Sequence, residues 1–418
     1  MATNRERRFI LWLEEIGADD APLVGTKIAL LGEVMRQLGR RGVRVPSGFA
    51  ITAHAYRHLV KEAGLLPDLR KVMTAIDPRD REGLVLKARQ ARELFLRAKL
   101  PANLEGEITK AYWKLSSRTG GGEVAVAVRP SPIGEQPGNV PVGLQDSLLN
   151  IKGDYAVADA CRRGFASLFA DRASASRLAR GFDLLSQALA LGVQQMVRSD
   201  AACSGIATGF DPRSGFSGVI TIQGGFGSGS PREEEGTTPD TYVVHKLTLR
   251  KGFRPIVNRH RGTKEWKWVP GPDAYLPLVL VPVPEQEQKE LVLADDEVLE
   301  LARAASAVET HLGKVVELSW AKDGDGVTAG TGMLYVLQVR PVTPPSHPVE
   351  LSTYLVDPSG DRREVLLRGQ GVGDAIGGGK VKVIGDAARL SEFTVGSVLV
   401  TDTTGPEWEE AMRASSAV

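Results

Sequence analysis

Cysteine is scarce in this 418-residue chain: Cys161 and Cys203 are the two present, with no CxxC spacing. That count excludes a disulfide framework and a zinc cluster, and a reduced, cytoplasmic protein is expected. An excess of one charge is missing as well. Lys and Arg number 52 against 51 Asp and Glu, a formal net charge of +1. No whole-chain field therefore calls for nucleic acid or an acidic membrane as partner. Local basic clusters such as Arg36 to Arg41 sit in helical or turn contexts and read as solvated faces. Long hydrophobic runs are also wanting. The longest, Tyr275 to Pro284, is broken by proline and too short to span a bilayer. Arg5, Arg7 and Arg8 precede only a brief apolar stretch, Phe9 to Leu13, which does not make a secretory signal.

What is present is ordinary for a globular protein: 42% hydrophobic and 25% charged residues. The length suffices for two or three domains. To about residue 115 the pattern is mostly helical. Ile28 to Leu38 is apolar-periodic and stopped by Gly39 and Gly42. Val43 to Ile51 is β-like, and Glu82 to Leu96 is helical again. Val124-Ala-Val-Ala-Val128 reads as a buried strand with Arg129 at its carboxyl end and a Pro- and Gly-rich loop beyond. Ala158 to Leu178 reads as an amphipathic helix and Ala188 to Val197 as a strand. Further strands are expected at Gly218 to Gln223, Tyr242 to Lys246, Val315 to Trp320 and Met333 to Arg340. A helix is expected from Ala294 to His311, ended by Gly313. Mixed helix and sheet of this kind indicate an α+β or α/β nucleotide fold. Four prolines between Pro341 and Pro348 have the composition of a semi-rigid linker. A small β-rich piece follows, with strands at Lys380 to Ile384 and Ser397 to Thr401.

Three blocks carry candidate chemistry. An arginine fixed beside a Gly-bearing loop suits a polyanion, because its planar fork grips phosphate oxygens in pairs. Lys27, just after Gly25, can place its ammonium over phosphates near a helix amino terminus. On spacing alone a plain surface lysine is the commoner reading. The acid run Glu233 to Glu235 reads as a solvated loop face.

Taken together and in order, these blocks resemble the phosphoenolpyruvate synthase (pyruvate, water dikinase) family. Gly25-Thr-Lys-Ile-Ala-Leu-Leu-Gly-Glu33, followed by Gly42-Val-Arg-Val-Pro-Ser-Gly-Phe-Ala-Ile-Thr52, is similar to GGKxxxLGE and GxxVPxGFxxT. Val126-Ala-Val-Arg129 matches VAVR. Gln195-Met-Val-Arg-Ser-Asp200 matches QxMVRSD, and Gln338-Val-Arg-Pro341 matches QxRP.

The resemblance implies an α+β fold with an ATP-grasp-type nucleotide-binding domain over residues 1–343, in subdomains of about 1–190 and 191–343. It also implies a linker at 344–349 and a truncated phosphohistidine (swivelling) domain at 350–418. It implies ATP and Mg²⁺ as cofactors. Lys27, Arg129 and Arg340 would hold phosphates, Arg129 and Arg340 serving catalysis, and Met196 and Val197 would line the adenine pocket with backbone groups. Gln338 would hold nucleotide and, with Glu317, the metal. The implied reaction converts ATP, pyruvate and water into phosphoenolpyruvate, AMP and phosphate by way of a histidine. None of the six histidines lies in a phosphohistidine context. Pyruvate is therefore expected only through further domains or a partner chain carrying the histidine, and a homo-oligomer is compatible.

The chain also departs from the family. Pro130 and Pro132 replace small residues in the phosphate loop, and Gln136 replaces an acid. Ser228 stands where GLGE has glutamate, and Ser319 stands where DIEWA has its metal-ligand glutamate. A hydroxyl is a poorer Mg²⁺ ligand than a carboxylate. Glu317, two residues away on the same strand face, has the reach to compensate in part, and weakened metal binding is expected. These departures keep two other readings open: a degenerate, non-catalytic nucleotide-binding or interaction module, and an antibiotic phosphotransferase of the same architecture.

Overall fold

The computed structural model describes residues 4–74, 80–134, 147–170, 185–228, 237–271, 278–324, 332–345, 377–402, 404–405 and 408–418. Two antiparallel sheets dominate it. The first half runs β1 (Ile10–Trp12), α1 (Ala21–Leu38), β2 (Gly48–Ile51), α2 (Ala53–Glu62), α3 (Leu65–Val72), α4 (Arg81–Arg97) and α5 (Ala102–Arg118). Then come β3 (Val126–Pro132), β4 (Leu148–Ile151), α6 (Asp154–Ala166) and β5 (Leu189–Gln195). These five strands form one sheet in the order β1-β2-β5-β3-β4.

The second half contributes β6 (Cys203–Thr208), β7 (Val219–Phe226), β8 (Asp240–His245), α7 (Lys246–Arg250), β9 (Ile256–His260), β10 (Trp266–Pro270) and β11 (Leu278–Pro282). It continues with α8 (Glu285–Gln288), α9 (Asp295–Leu312), β12 (Val316–Lys322) and β13 (Leu334–Pro341). Its sheet has six strands, in the order β13-β12-β6-β7-β8-β9, with β10 and β11 as a separate hairpin. Helices packed against antiparallel sheets make the fold α+β, as expected.

Local chemistry explains the main elements. α2 begins at Thr52, whose hydroxyl accepts the Ala55 N–H. α9 opens on Asp295, Asp296 and Glu297 and closes on Gly313 in the left-handed conformation. α1 is interrupted at Gly25, with φ 74° and ψ 156°. A Cβ there would also lie 2.2 Å from Ser131 Oγ and 2.6 Å from the Ser131 carbonyl. Glycine is required both for that backbone conformation and for the close approach to β3. The regular helix thus starts beyond Gly25, as the sequence suggests, and puts Lys27 in its first turn.

The two halves bury different cores. α2 to α6 cover one face of the first sheet with an aromatic cluster in which Tyr56 stacks on Phe95 at 5.7 Å and Phe95 meets Phe169 at 5.5 Å. α1 and α9 join Ile220, Ile222, Leu318 and Trp320 of the second sheet in another cluster. α1 touches β3 and β5 on one side and β13 on the other, so it stands between the sheets.

Several sequence expectations shift. β3 does not end at Val128: it runs on to Pro132, so Arg129 lies mid-strand rather than at a strand end. Pairing with β5 continues from Arg129↔Gly192 to Pro132↔Leu189. β4 covers the other edge only as far as Val128, so Pro130 and Pro132 sit where an N–H has no ladder partner to miss. The change of sheet falls between Gln195 and Cys203, because β5 belongs wholly to the first sheet, and a boundary at 190 would cut that strand. The helix expected to Leu178 is regular to Ala166 and then 3₁₀ to Phe169, and 171–184 lie outside the described residues. Residues 346–376, which hold most of the linker and the start of the last piece, also lie outside. Beyond them β14 (Val381–Val383) pairs in parallel with β15 (Val398–Val400), and α10 (Glu409–Ala414) follows. Ile384, Leu399 and Trp408 form a small core there.

Candidate nucleotide-binding cleft

β12 and β13 pair Glu317 with Arg340 and Ser319 with Gln338, and then Trp320 with Val336. Leu337 is the extra residue of this β-bulge, a device that re-aims backbone groups beside functional sites. Its carbonyl accepts a hydrogen bond from Arg129 Nη1 at 2.9 Å. The bulge thus ties the middle of β3, in the first sheet, to the edge strand of the second. A further tie runs from the Val336 N–H to the Arg44 carbonyl at 2.8 Å.

Two adjoining cavities, of about 80 and 190 Å³, lie along this seam. Lys27, Arg129, Gln194 and Gln338 line the first. Arg129, Met196, Val197, Ser228, Ser319 and Gln338 are among the residues lining the second. Five of the sequence-predicted ligand residues therefore meet in one place: Lys27, Arg129, Met196, Val197 and Gln338. Among the described residues the cavity walls carry two cations and no carboxylate.

Electrostatics sharpen the picture. Arg129 Nε is buried and has no hydrogen-bond partner. Burial lowers the guanidinium pKa to about 10, still far enough above neutrality that the group stays charged at pH 7. A buried cation with an unmatched donor is costly unless an anion completes it. Gln195 Nε2 and Trp320 Nε1 are likewise buried without partners, and both residues line the larger cavity. The indole lies flat on β7 because position 224 is glycine; a Cβ there would come within 2.9 Å of Trp320 Cζ2. All three unmatched groups are N–H donors enclosed within residues of the cavity wall, and each lacks the acceptor that burial calls for.

Not every predicted residue points into the cleft. Arg340 Nη2 donates to Glu317 Oε1 at 2.8 Å, and neither residue lines these two cavities. The Met196 N–H donates to the Ala125 carbonyl at 2.9 Å and the Val197 carbonyl accepts the Ser199 N–H at 2.8 Å, so these two backbone groups are engaged within the chain. Gln136 and Glu233 to Glu235 lie outside the described residues. Sequence reasoning assigned no role to Gln194, Gln195 or Trp320. The signal was a pair of glutamines closing an otherwise apolar strand.

Mg²⁺ requires one or two carboxylates besides phosphate oxygens. Ser319 faces Gln338 in the ladder and offers a hydroxyl, Ser228 offers another, and the Glu317 carboxylate is held by Arg340. Among the described residues no group of three His, Cys, Asp or Glu side chains comes together as metal ligands. The described residues do not fit a protein-held divalent cation.

The fold and cleft define a nucleotide-binding module of two sheets closing on a cationic seam, and comparison with known proteins supplies its family. Residues 21–352 match the family model described as pyruvate phosphate dikinase, AMP/ATP-binding domain. The chain belongs to that family. It is 39% identical to a phosphoenolpyruvate synthase of Synechocystis sp., over 99% of this chain and 51% of that protein. It is 38% identical to one from Pseudomonas aeruginosa, over 98% and 51%, and 35% identical to one from Escherichia coli, over 100% and 52%. The chain thus spans about half the length of the curated relatives it matches. No helix among the described residues is long and apolar enough to cross a membrane.

Proposed function

We propose that the seam between the sheets binds ATP, and that the chain supplies the nucleotide step of a phosphoenolpyruvate synthase-type reaction. In that reaction ATP, pyruvate and water give phosphoenolpyruvate, AMP and phosphate, the phosphoryl group travelling on a histidine elsewhere in the enzyme. The observation that carries the reading is the Arg129 side chain, buried between the sheets with an unmatched Nε and, among the described residues, no carboxylate in the cavity around it.

Lys27 and Arg129 neutralise phosphate charge, and Gln338 orients phosphate oxygens from the facing strand. Arg340 lies one ladder step from Gln338 and joins the phosphates when Glu317 releases it. Met196 and Val197 offer an apolar wall to the purine. Positioning and charge stabilisation of this kind supply most of the catalysis in phosphoryl transfer. Both cysteines are free and buried, in keeping with the cytoplasm as the working compartment.

Calorimetric titration with ATP tests the reading. Binding in the micromolar range that weakens about 10- to 100-fold in Arg129→Ala is expected, the worth of a charge-assisted hydrogen-bond pair. No heat at millimolar ATP overturns it. The non-catalytic reading draws on Ser228 and Ser319, both lining the larger cavity where acids are expected. Release of AMP from ATP, on addition of the histidine- and pyruvate-binding parts of a relative, separates that reading from the enzymatic one.

A further inference from the structure

Two positions where a carboxylate is expected, Ser228 and Ser319, are both serine, and both line the same cavity. Neither stands alone in an acidic setting. Ser228 Oγ lies 3.3 Å from Ser199 Oγ, and Ser319 faces the Gln338 amide across the ladder. Glu317 is the nearest acid on that strand face, and Arg340 already neutralises it at 2.8 Å. The remaining wall is cationic or donor-bearing: Arg129, Gln195 and Trp320 carry buried N–H groups without acceptors.

Resting on the ATP-binding reading above, we propose that this chain takes its nucleotide as the metal-free polyphosphate. The physical reason is charge complementarity. Among the described residues, a divalent cation placed in this cavity would meet Arg129 at close range and no carboxylate to offset it. A metal-free triphosphate carries about two more negative charges than its magnesium complex, and it presents every oxygen to the N–H donors. In this chain Arg129, assisted by neutral donors, does the work that a carboxylate-held cation does elsewhere. The seam would accept ATP, ADP or an inorganic polyphosphate on this basis. Purine contacts at Met196 and Val197 would favour the nucleotides.

The test is ATP titration of the full chain in EDTA and, separately, in excess Mg²⁺. The expected result is a dissociation constant in EDTA within threefold of that in Mg²⁺, or tighter. Ser319→Glu restores the missing ligand beside Gln338, and should bind ATP at least tenfold more tightly with Mg²⁺ than in EDTA. Ser319→Asp is a shorter second variant, expected to move the same way should the glutamate disturb the bulge. Binding by the unmodified chain that weakens tenfold or more in EDTA overturns the proposal and leaves the ATP-binding reading standing. No heat in either buffer overturns both.

Discussion

The half of the molecule built on the first sheet and the half built on the second hold themselves together with different chemistry. The first buries aromatics: Tyr56, Phe95, Phe165 and Phe169 interlock under α2 to α6. The second buries ion pairs. Lys264 and Asp240 are fully enclosed, and Asp240 also accepts the Gly262 and Val292 N–H groups at 2.8 Å each. Lys246 meets Glu309 at 2.7 Å and donates to the Gly209 carbonyl. The cleft between them shows the same asymmetry. Its cations, Lys27 and Arg129, come from the first half, whereas the second supplies hydroxyls, the Gln338 amide and the Trp320 indole. Charge in the first half should therefore set affinity. Neutral groups in the second should set what accompanies the nucleotide.

Breaking the second half's device should have the largest effect. Asp240→Ala leaves a buried ammonium without its counter-ion, bonded only to the Gly262 carbonyl, and two backbone N–H groups without an acceptor, and should cost about 3–5 kcal/mol by urea denaturation. Replacing both partners with apolar residues of similar volume should recover the share due to the unpaired charge but not that due to the Gly262 and Val292 N–H groups. Recovery would show that the pair specifies geometry more than it stabilises. In the first half, Phe95→Ala removes the centre of the aromatic cluster, with an expected cost of about 3 kcal/mol from lost transfer energy and the cavity left behind. The second change should lower the unfolding midpoint yet leave nucleotide affinity within about twofold in conditions where the protein is folded. A larger change in affinity would show that the two halves are mechanically coupled through α1.

Within the cleft, Trp320→Phe keeps the ring packed on Gly224 but removes the unmatched indole N–H. If that donor meets the nucleotide, calorimetry should show about 1 kcal/mol less binding energy, the net worth of one neutral hydrogen bond. Unchanged affinity would assign the indole to packing alone.

How much of this was legible in the sequence follows from the same asymmetry. Apolar runs and apolar alternation mark strands in a sequence, so β3, β5, β7, β12 and β13 are legible from residue pattern within a few positions. β9 is not, because its residues are nearly all exposed and Asn258-Arg-His260 carries no alternation. β11 was taken for a proline-broken run because its pairing with β10 is a tertiary fact. Arg129 was misplaced because two prolines suggest a loop, and only the short reach of β4 explains why a strand tolerates them. The residues that meet at the seam were named by motif. Their environment was not: the bulge at Leu337, the ion pair that holds Glu317 and the three unmatched donors depend on register and burial, which one sequence does not display.

The smallest effect expected is also the cleanest control on the buried pairs. Arg254 and Asp296 form an ion pair in the same half of the molecule, with side chains 58% and 83% exposed. In water the Coulomb gain is small, ordering two long side chains opposes it, and salt at physiological strength screens what remains. Asp296→Asn should therefore change stability by no more than about 0.5 kcal/mol, and the difference should vanish in 1 M NaCl. Asp240→Ala should keep nearly its whole cost in the same salt, because no ions reach an enclosed pair. Equal salt sensitivity of the two variants would mean that the Asp240 site opens to solvent. The second half would then owe its stability to packing of α9 on the sheet, as the first half does to its aromatics, and the contrast between the halves would fall.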